Sequence, residues 1–173
     1  MRTLSLSLLT FGFAIILLGG TANHALADKP KRIGQYHHWS AFTYQENGGK
    51  VCFMAASPKS AKGNYSKRGD IFALITHRTA NDSKNVVSYM AGYPYKDESK
   101  VTITIDGQSH KLFTKGNTAW APDGELDKKL TELIKKGNRM VVKGQSSRGT
   151  LTTDTFSLRG STAAYNAITK ACQ

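Results

Sequence analysis

The sequence predicts a mainly β protein: an antiparallel β-sandwich or partly open barrel with two short helices, closed by one disulfide. Three observations lead to this prediction. Short segments of alternating apolar and polar residues recur along the chain, and turns rich in Gly and Asn separate them. In the second half of the chain, two segments instead place apolar residues at helical spacing. Two cysteines, Cys52 and Cys172, lie near opposite ends of the β-rich region.

The first 27 residues are typical of a secretion signal. Arg2 supplies a positive start, residues 11–18 form a short apolar core, and residues 25–27 fit the small-x-small cleavage pattern. A bilayer-spanning helix needs about 20 apolar residues, which disfavours the alternative of a retained N-terminal anchor. Removing 27 of the 173 residues leaves 146, which suits one domain with a core. No second long apolar run follows, so we expect no transmembrane segment in the mature chain.

The mature chain divides into a lead-in and one domain. Residues 28–38 are polar and basic, and we predict a flexible lead-in there. Residues 39–44 and 51–55 alternate as strands do, and Asn47-Gly48 between them is a common hairpin turn. Neither a repeat nor a linker interrupts the remaining sequence, so residues 39–173 are predicted to form a single β-rich domain.

The middle of the domain continues the β pattern. Residues 58–69, rich in Lys, Ser and Gly, predict a loop. Apolar and β-branched segments then predict successive strands, two of which form a second hairpin around Asp106-Gly107. These strands lie at residues 70–78, 86–90, 101–105, 110–113 and, as a short segment, 118–120.

The apolar spacing changes to a helical period after Asp123, and Gly137 suits the end of this first helix. Strands are predicted next, at residues 140–143 and 152–158. Ser161 is predicted to cap a final helix. The inward residues of the two helices are predicted to be Leu126, Leu130, Leu133 and Ile134 in the first, and Ala164, Tyr165 and Ile168 in the second.

Both cysteines remain once the leader is removed. An exported chain meets an oxidising compartment, in which an even number of cysteines is typical of disulfide pairing. We therefore predict a Cys52–Cys172 disulfide that fastens the C-terminus to an early strand; two free thiols or an intermolecular bridge are the alternatives. On the loop-entropy model such a closure stabilises the domain by roughly 5 kcal/mol. Without a CxxC pattern or a neighbouring histidine, a redox or metal role is not expected.

The sequence contains no pattern typical of catalysis, so we predict no enzyme activity, no metal and no cofactor. The acidic residues 123, 125 and 127 lie at a predicted helix N-terminus, where they offset the helix dipole. The mature histidines show no HxxxH or HxH spacing. Neither a GxSxG elbow nor a phosphate-binding glycine loop occurs. A hydrolase with a fold-assembled site would need His77 or His110 beside a carboxylate.

Arg68-Gly69-Asp70 spells the cell-adhesion tripeptide. A match of three residues has little specificity, and Gly-Asp before an apolar strand is equally typical of a turn. We therefore interpret the tripeptide as part of a turn, with integrin binding as the alternative.

The mature chain carries a large positive charge. Arg2 is the one charged residue of the leader, so the net charge falls from +12 to +11 when the leader is removed. Such a charge favours anionic surfaces such as lipid head groups, lipopolysaccharide or acidic polysaccharide; the alternative is a role in solubility alone. Aromatic residues that could stack bases are not interleaved with the basic runs, so the sequence does not favour nucleic acid as a partner. The candidate anionic-surface residues are Lys128, Lys129, Lys135, Lys136 and Arg139, on and just after the first helix.

An ordered set of short motifs extends over nearly all of the mature domain. The motifs lie at residues 39–52, 68–71, 88–94, 112–116, 119–120, 149–150 and 154–158, and Cys172 ends the set. In this order they resemble the invasion-associated locus B family of exported bacterial proteins. The resemblance implies an all-β fold, a periplasmic, envelope-associated or secreted location, and a role in host-cell interaction or invasion. It implies no catalytic residue.

Together these observations predict a non-enzymatic exported envelope protein that acts through an anionic envelope or host-surface component. The alternative is a periplasmic inhibitor or accessory subunit that binds another envelope protein as its partner.

Overall fold

The computed structural model describes residues 29–173, so the predicted leader at residues 1–27 lies outside the described residues. Eleven strands form one antiparallel sheet that does not close, and two helices pack on it, which confirms the predicted fold class. The elements are β1 (Lys31–Tyr36), β2 (Trp39–Glu46), β3 (Gly49–Ala56), β4 (Ser60–Gly63), β5 (Phe72–Arg78), β6 (Ser83–Met90), β7 (Lys100–Ile105), β8 (Gln108–Lys115), β9 (Thr118–Trp120), α1 (Gly124–Lys136), β10 (Arg139–Gln145), β11 (Leu151–Ser157) and α2 (Ser161–Ala171). The order of the strands in the sheet is β1-β2-β3-β5-β6-β9-β8-β7-β10-β11-β4.

The sheet curls strongly. Trp39, at the start of β2, donates a hydrogen bond from Nε1 to the carbonyl oxygen of Ser157 at the end of β11, at 3.1 Å. The His38 amide reaches the carbonyl of Arg159 at 3.4 Å. Because β2 and β11 are far apart in the order of strands, these bonds require the sheet to bend back on itself. The result is a partly open barrel.

Burial alternates along the strands and separates an inner face from an outer face. In β7, Val101, Ile103 and Ile105 are buried, whereas Thr102 and Thr104 between them are not. Strands β10 and β11 repeat this pattern. Successive side chains of a strand point to opposite faces, so the inner face forms the core. Its largest fully buried side chains include Trp39, Met54, Ile75, Tyr89, Leu112, Leu130, Ile134 and Phe156.

Helix α1 covers an open edge of the sheet. The short β9 pairs with only three residues of β6, Ser88 to Met90, and leaves the earlier part of that edge unpaired. There the Oδ1 of Asp127 accepts a hydrogen bond from the Val87 amide at 2.8 Å, and the Thr131 hydroxyl donates to the Asn85 carbonyl at 3.4 Å. Side chains of the helix therefore take the place of a neighbouring strand. The helix bounds agree with the prediction, with Asp123 as N-cap and Gly137 as C-cap.

Helix α2 is fastened to β3 by the predicted disulfide. Cys52 and Cys172 are bonded, with their Cα atoms 5.9 Å apart. The prediction that Ser161 caps this helix is wrong, because the N-cap is Gly160, in the left-handed region at φ 97°. Ser161 is instead the first helical residue, and its hydroxyl donates to the Ile134 carbonyl of α1 at 2.7 Å. The contact between the two helices occupies the hydroxyl that would have served as the cap.

Two edge strands correct the predictions for the first third of the domain. Strand β1 pairs with β2 where a flexible lead-in is predicted at residues 28–38. Strand β4 pairs with β11 inside the predicted loop at residues 58–69. Both strands are polar and largely exposed, so neither shows the apolar alternation by which a strand is recognised in a sequence. They are held by backbone pairing to a neighbour, which sequence pattern does not reveal.

Candidate anion-binding surfaces

The lysines predicted to bind an anionic surface lie together on α1, and Arg139 follows at the start of β10. Lys128, Lys129 and Lys136 are exposed. An acidic neighbour lies among them: Glu132 accepts from Lys135 Nζ at 2.7 Å and lies 3.5 Å from Lys136 Nζ. The hydrogen bond from Lys135 holds the pKa of Glu132 below its ordinary value. Two of the four helix lysines are thus already paired with a carboxylate.

A second group of cations lies on the outer face of the sheet. The strand register places Lys62 of β4 beside Thr153 of β11, and Thr153 beside Lys143 of β10. Lys143 is in turn beside Thr102 of β7, which is beside Lys111 of β8. Residues directly opposite each other in neighbouring strands share a face. Lys62, Lys143 and Lys111 therefore form one line across five strands, which we name the lysine row.

Threonines separate the members of the lysine row. Neighbouring strands are about 4.8 Å apart, so successive lysines, two strands apart, are spaced by about 10 Å. All three are exposed, and Lys111 Nζ donates to the hydroxyl of Thr102 at 2.7 Å. Within residues 29–173, none of the three lies within ion-pair distance of a carboxylate.

The outer face around the lysine row is basic without local compensation. In the described chain, the outward positions of β4, β7, β8, β10 and β11 carry no acidic residue, and Asp154 of β11 points inward. A groove of about 510 Å³ on this face is lined by Lys100, Lys143, Thr102 and Thr153, among others. Uncompensated charge of one sign raises the local concentration of ions of the opposite sign. The outward basic residues are Lys62, Lys100, Lys111, Lys115, Arg139 and Lys143.

A cleft of about 770 Å³ opens next to this face. Three loops form it, at residues 64–69, 92–94 and 146–150. Thr152, whose side chain is buried, contributes to the lining of both the cleft and the groove beside the lysine row, so the two lie next to each other. Two cations, Lys67 and Arg148, also line the cleft, and both are exposed.

A buried ion pair supports the cleft from behind. The Nη1 and Nη2 of Arg68 donate to the two carboxylate oxygens of Asp154 at 2.8 and 2.7 Å, and Nε donates to the Ala91 carbonyl at 2.6 Å. The Tyr89 hydroxyl donates to the same carboxylate. Burial lowers the pKa of Arg68, but the hydrogen bonds to Asp154 and the nearby negative charge outweigh this and hold it above its ordinary value. Burial, followed by the charge of Asp154, raises the pKa of Tyr89.

The same arginine fixes two aromatic side chains. Its guanidinium carbon lies 4.8 Å from the ring centroid of Tyr93 and 5.4 Å from that of Tyr65. Only 4% of the Arg68 side chain is exposed, so the Arg68-Gly69-Asp70 tripeptide does not present a guanidinium that a receptor could reach. The tripeptide is a structural feature, but residues 67–71 form no turn; the Gly69 amide instead donates to the Gly92 carbonyl of a distant segment at 2.9 Å, so the turn interpretation is wrong.

The histidines that a fold-assembled hydrolase would need have other neighbours. His77 is buried; its Nδ1 accepts from the Asn85 amide at 3.1 Å, and its Nε2 lies 3.2 Å from the Thr169 hydroxyl. Burial lowers the pKa of His77, and burial followed by the charge of Lys129 lowers the pKa of His110. Within residues 29–173, neither histidine pairs with a carboxylate, and no group of three or more His, Cys, Asp or Glu side chains is placed to hold a metal.

None of the helices between residues 29 and 173 combines the length and the apolar character needed to cross a bilayer.

Comparison with known families agrees with the resemblance seen in the motifs. The family described as Invasion associated locus B (IalB) protein matches residues 39–169. No curated protein and no solved structure matches the chain. The matched region contains every strand from β2 to β11, the lysine row and the cleft. The chain therefore belongs to the invasion-associated locus B family, whose proteins are exported.

Proposed function

We propose that this protein is a non-enzymatic protein of the bacterial periplasm or envelope that binds an anionic polymer through the outer face of its sheet, and that it supports contact with host cells in this way. The observation that carries the proposal is the lysine row. Lys62, Lys143 and Lys111 are aligned by strand pairing on a face without an acidic residue in the described chain. The net charge of +12 for the whole chain points in the same direction.

The sheet face suits this task better than helix α1. A single exposed ion pair contributes only about 0.2–1 kcal/mol, so useful affinity requires several simultaneous contacts. Strand pairing holds the backbone of the row at a fixed spacing, which lowers the entropy cost of making these contacts together. On α1, by contrast, Glu132 already pairs with Lys135 and Lys136 and would repel an approaching anion.

Matched charge variants of the exported protein test the proposal. The row variant is Lys62→Gln/Lys111→Gln/Lys143→Gln, and the helix variant is Lys128→Gln/Lys129→Gln/Lys136→Gln. Both remove three exposed positive charges. Elution from immobilised heparin is measured in a rising salt gradient, because salt screens contacts between exposed charges.

We expect the row variant to elute at clearly lower salt than the helix variant. Equal shifts of the two variants would mean that only net charge matters. A larger shift for the helix variant would favour α1 as the binding surface. Either of these two outcomes would overturn the proposed surface.

A protein partner is the second candidate, and a specific surface favours it. The outer face of β2 and β3 carries an aromatic cluster: Phe42 stacks on Phe53 at 4.9 Å between ring centroids, and Tyr44 meets Phe53 edge-on at 6.1 Å. A groove of about 340 Å³ beside it is lined by Phe53, Met90 and others. Chemical cross-linking in the periplasm tests this role. A defined partner lost with Phe53→Lys, but kept with the row variant, would favour an accessory subunit over polymer binding.

A further inference from the structure

We infer that the cleft at residues 64–69, 92–94 and 146–150 binds one unit of an acidic saccharide, which makes the anionic polymer a polysaccharide. This inference rests on the proposed function, and it adds a ligand class and a second site. The cleft is separate from the lysine row and lies next to it, with Thr152 in the lining of both the cleft and the groove beside the row. Its volume of about 770 Å³ lies within the range of about 300–1,000 Å³ that is typical of small-molecule sites.

The aromatic walls of the cleft are fixed before any ligand arrives. The Tyr65 hydroxyl donates to the Ala61 carbonyl at 3.0 Å, and the Tyr93 hydroxyl lies 2.6 Å from that of Thr152. Both rings also lie against Arg68, which Asp154 locks in place. A sugar ring has an apolar C–H surface that packs on aromatic rings, and Tyr65 and Tyr93, both partly exposed, offer it the ring surface that Arg68 leaves uncovered. Because the tyrosines are already ordered, such packing costs little side-chain entropy.

The charge in the cleft selects an acidic ligand. Among residues 29–173, no acidic residue lines the cleft, whereas Lys67 and Arg148 do, and both are exposed. A guanidinium such as that of Arg148 can hold a carboxylate or a sulfate with two parallel hydrogen bonds, and a lysine adds a point charge. Arg68 serves as a positioning residue, because its guanidinium already bonds both oxygens of Asp154.

Uncharged groups complete the site. The exposed side chains of Asn64, Ser66 and Ser147 line the cleft and offer an amide and two hydroxyls for the hydroxyl groups of a sugar. The combination of ring faces, polar side chains and two cations matches an acidic sugar better than a lipid head group. A flat bilayer surface could meet the lysine row, but it could not fill a cleft beside it.

Binding of a short probe separates the cleft from the row. The lysine row spans four strand spacings, about 19 Å, which a sulfated, uronate-containing heparin disaccharide is too short to bridge. Its affinity is measured by calorimetry for the exported protein, for Lys67→Ala/Arg148→Ala, and for Lys128→Ala/Lys129→Ala as a control with equal charge loss. Neutral chitobiose and inorganic sulfate are the control ligands, and thermal melting verifies folding.

We expect saturable binding of the disaccharide that weakens at least tenfold in Lys67→Ala/Arg148→Ala and stays within twofold in the helix control and in the row variant. Chitobiose and sulfate should bind much more weakly. The absence of saturable binding, or equal weakening in the helix control, would overturn the inference. Stronger retention on phosphatidylglycerol vesicles than on heparin, unchanged by the cleft substitutions, would also overturn it and identify a membrane surface as the partner.

The outcomes also separate this inference from the proposed function. Loss of heparin retention in the row variant without disaccharide binding would leave the proposed function standing and remove the cleft site. Disaccharide binding with unchanged retention of the row variant would do the reverse.

Discussion

Arg68 and Asp154 form a bidentate ion pair in the interior of the domain, with N–O distances of 2.8 and 2.7 Å. Only 4% of the Arg68 side chain and 1% of the Asp154 side chain are exposed. The pair joins the loop before β5 to the inner face of β11. Each partner satisfies a charge that would otherwise be buried alone, so the loss of one partner costs more than the pair itself contributes. The cleft and the tyrosines around it depend on this contact.

Replacing Asp154 with Asn should destabilise the domain by about 3–5 kcal/mol, because it leaves the Arg68 guanidinium buried without a counter-charge. Urea unfolding measures the change. The double variant Arg68→Met/Asp154→Leu removes both charges and should be less destabilised than Asp154→Asn. The half-buried pair Arg78–Glu46, at 3.3 Å and with about a third of each side chain exposed, is the matched control, and Glu46→Gln should cost clearly less than Asp154→Asn because water partly screens its charges. If Asp154→Asn cost no more stability than Glu46→Gln, the result would contradict the importance of the buried Arg68–Asp154 pair.

Reduction of the disulfide should lower the melting temperature substantially. Cys52 and Cys172 are 120 residues apart, and closing a loop of this length stabilises a fold by about 5 kcal/mol on the loop-entropy model. The measurement is a melting curve with and without reductant, with Cys52→Ala/Cys172→Ala as an independent reference. The reduced protein and the double variant should melt at similar temperatures. Identical melting curves with and without reductant would show that the disulfide does not contribute to thermal stability.

The free energy of unfolding should decrease as the pH falls below about 6.5, with His77 as one cause. Its pKa in the folded protein lies below the ordinary value of 6.5, chiefly because of burial. The unfolded chain therefore binds a proton more readily, and acid favours unfolding. The stability that His77 contributes is present above the ordinary pKa and is lost as the pH falls through the lower, folded value.

Denaturant unfolding between pH 7.5 and 5 measures this dependence. His77→Asn should be less stable at pH 7.5 but should show a shallower decline with acid. The exposed His38 provides the control variant His38→Asn. A pH dependence left unchanged by His77→Asn would show that other groups dominate.

The stability that Asp127 gives to the edge of β6 should depend on its side-chain oxygen, which accepts the hydrogen bond, and not on its negative charge. Asp127→Ala leaves the Val87 amide, now bonded at 2.8 Å, without an acceptor, and the expected cost is about 1–3 kcal/mol. Asp127→Asn keeps an oxygen at this position and should retain most of the stability. Hydrogen exchange at the Val87 amide measures the local effect, and equal protection in both variants would contradict the proposed contact.

The strand and helix patterns show how far sequence reasoning reaches in this protein. Strands with an apolar inner face, such as β3 and β7, were predictable because apolar residues recur in their sequences at the positions that become buried. The bounds of α1 were predictable from Asp123, the apolar stripe and Gly137. β1 and β4 were not, because an exposed edge strand is stabilised by its neighbour's backbone.

The candidate surfaces divide in the same way. The predicted lysines of α1 are close in sequence and do lie on one helix, but Glu132 pairs with two of them. The lysine row combines residues from β4, β8 and β10, and Lys62 lies in a segment predicted to be a loop. Spacing along the chain does not identify such a row, since its alignment arises from pairing between strands.

The sequence by itself determined the fold class, the two helices, the cysteine pair, the net charge and the family motifs, because each depends on composition or on patterns within one segment. Only the tertiary structure decided where the positive charges lie relative to one another. Strand register aligns Lys62, Lys143 and Lys111 on one face, and pairing of β4 with β11 brings the loop that carries Arg68 to Asp154 behind the cleft. Both arrangements arise from contacts between distant segments, which no local pattern encodes.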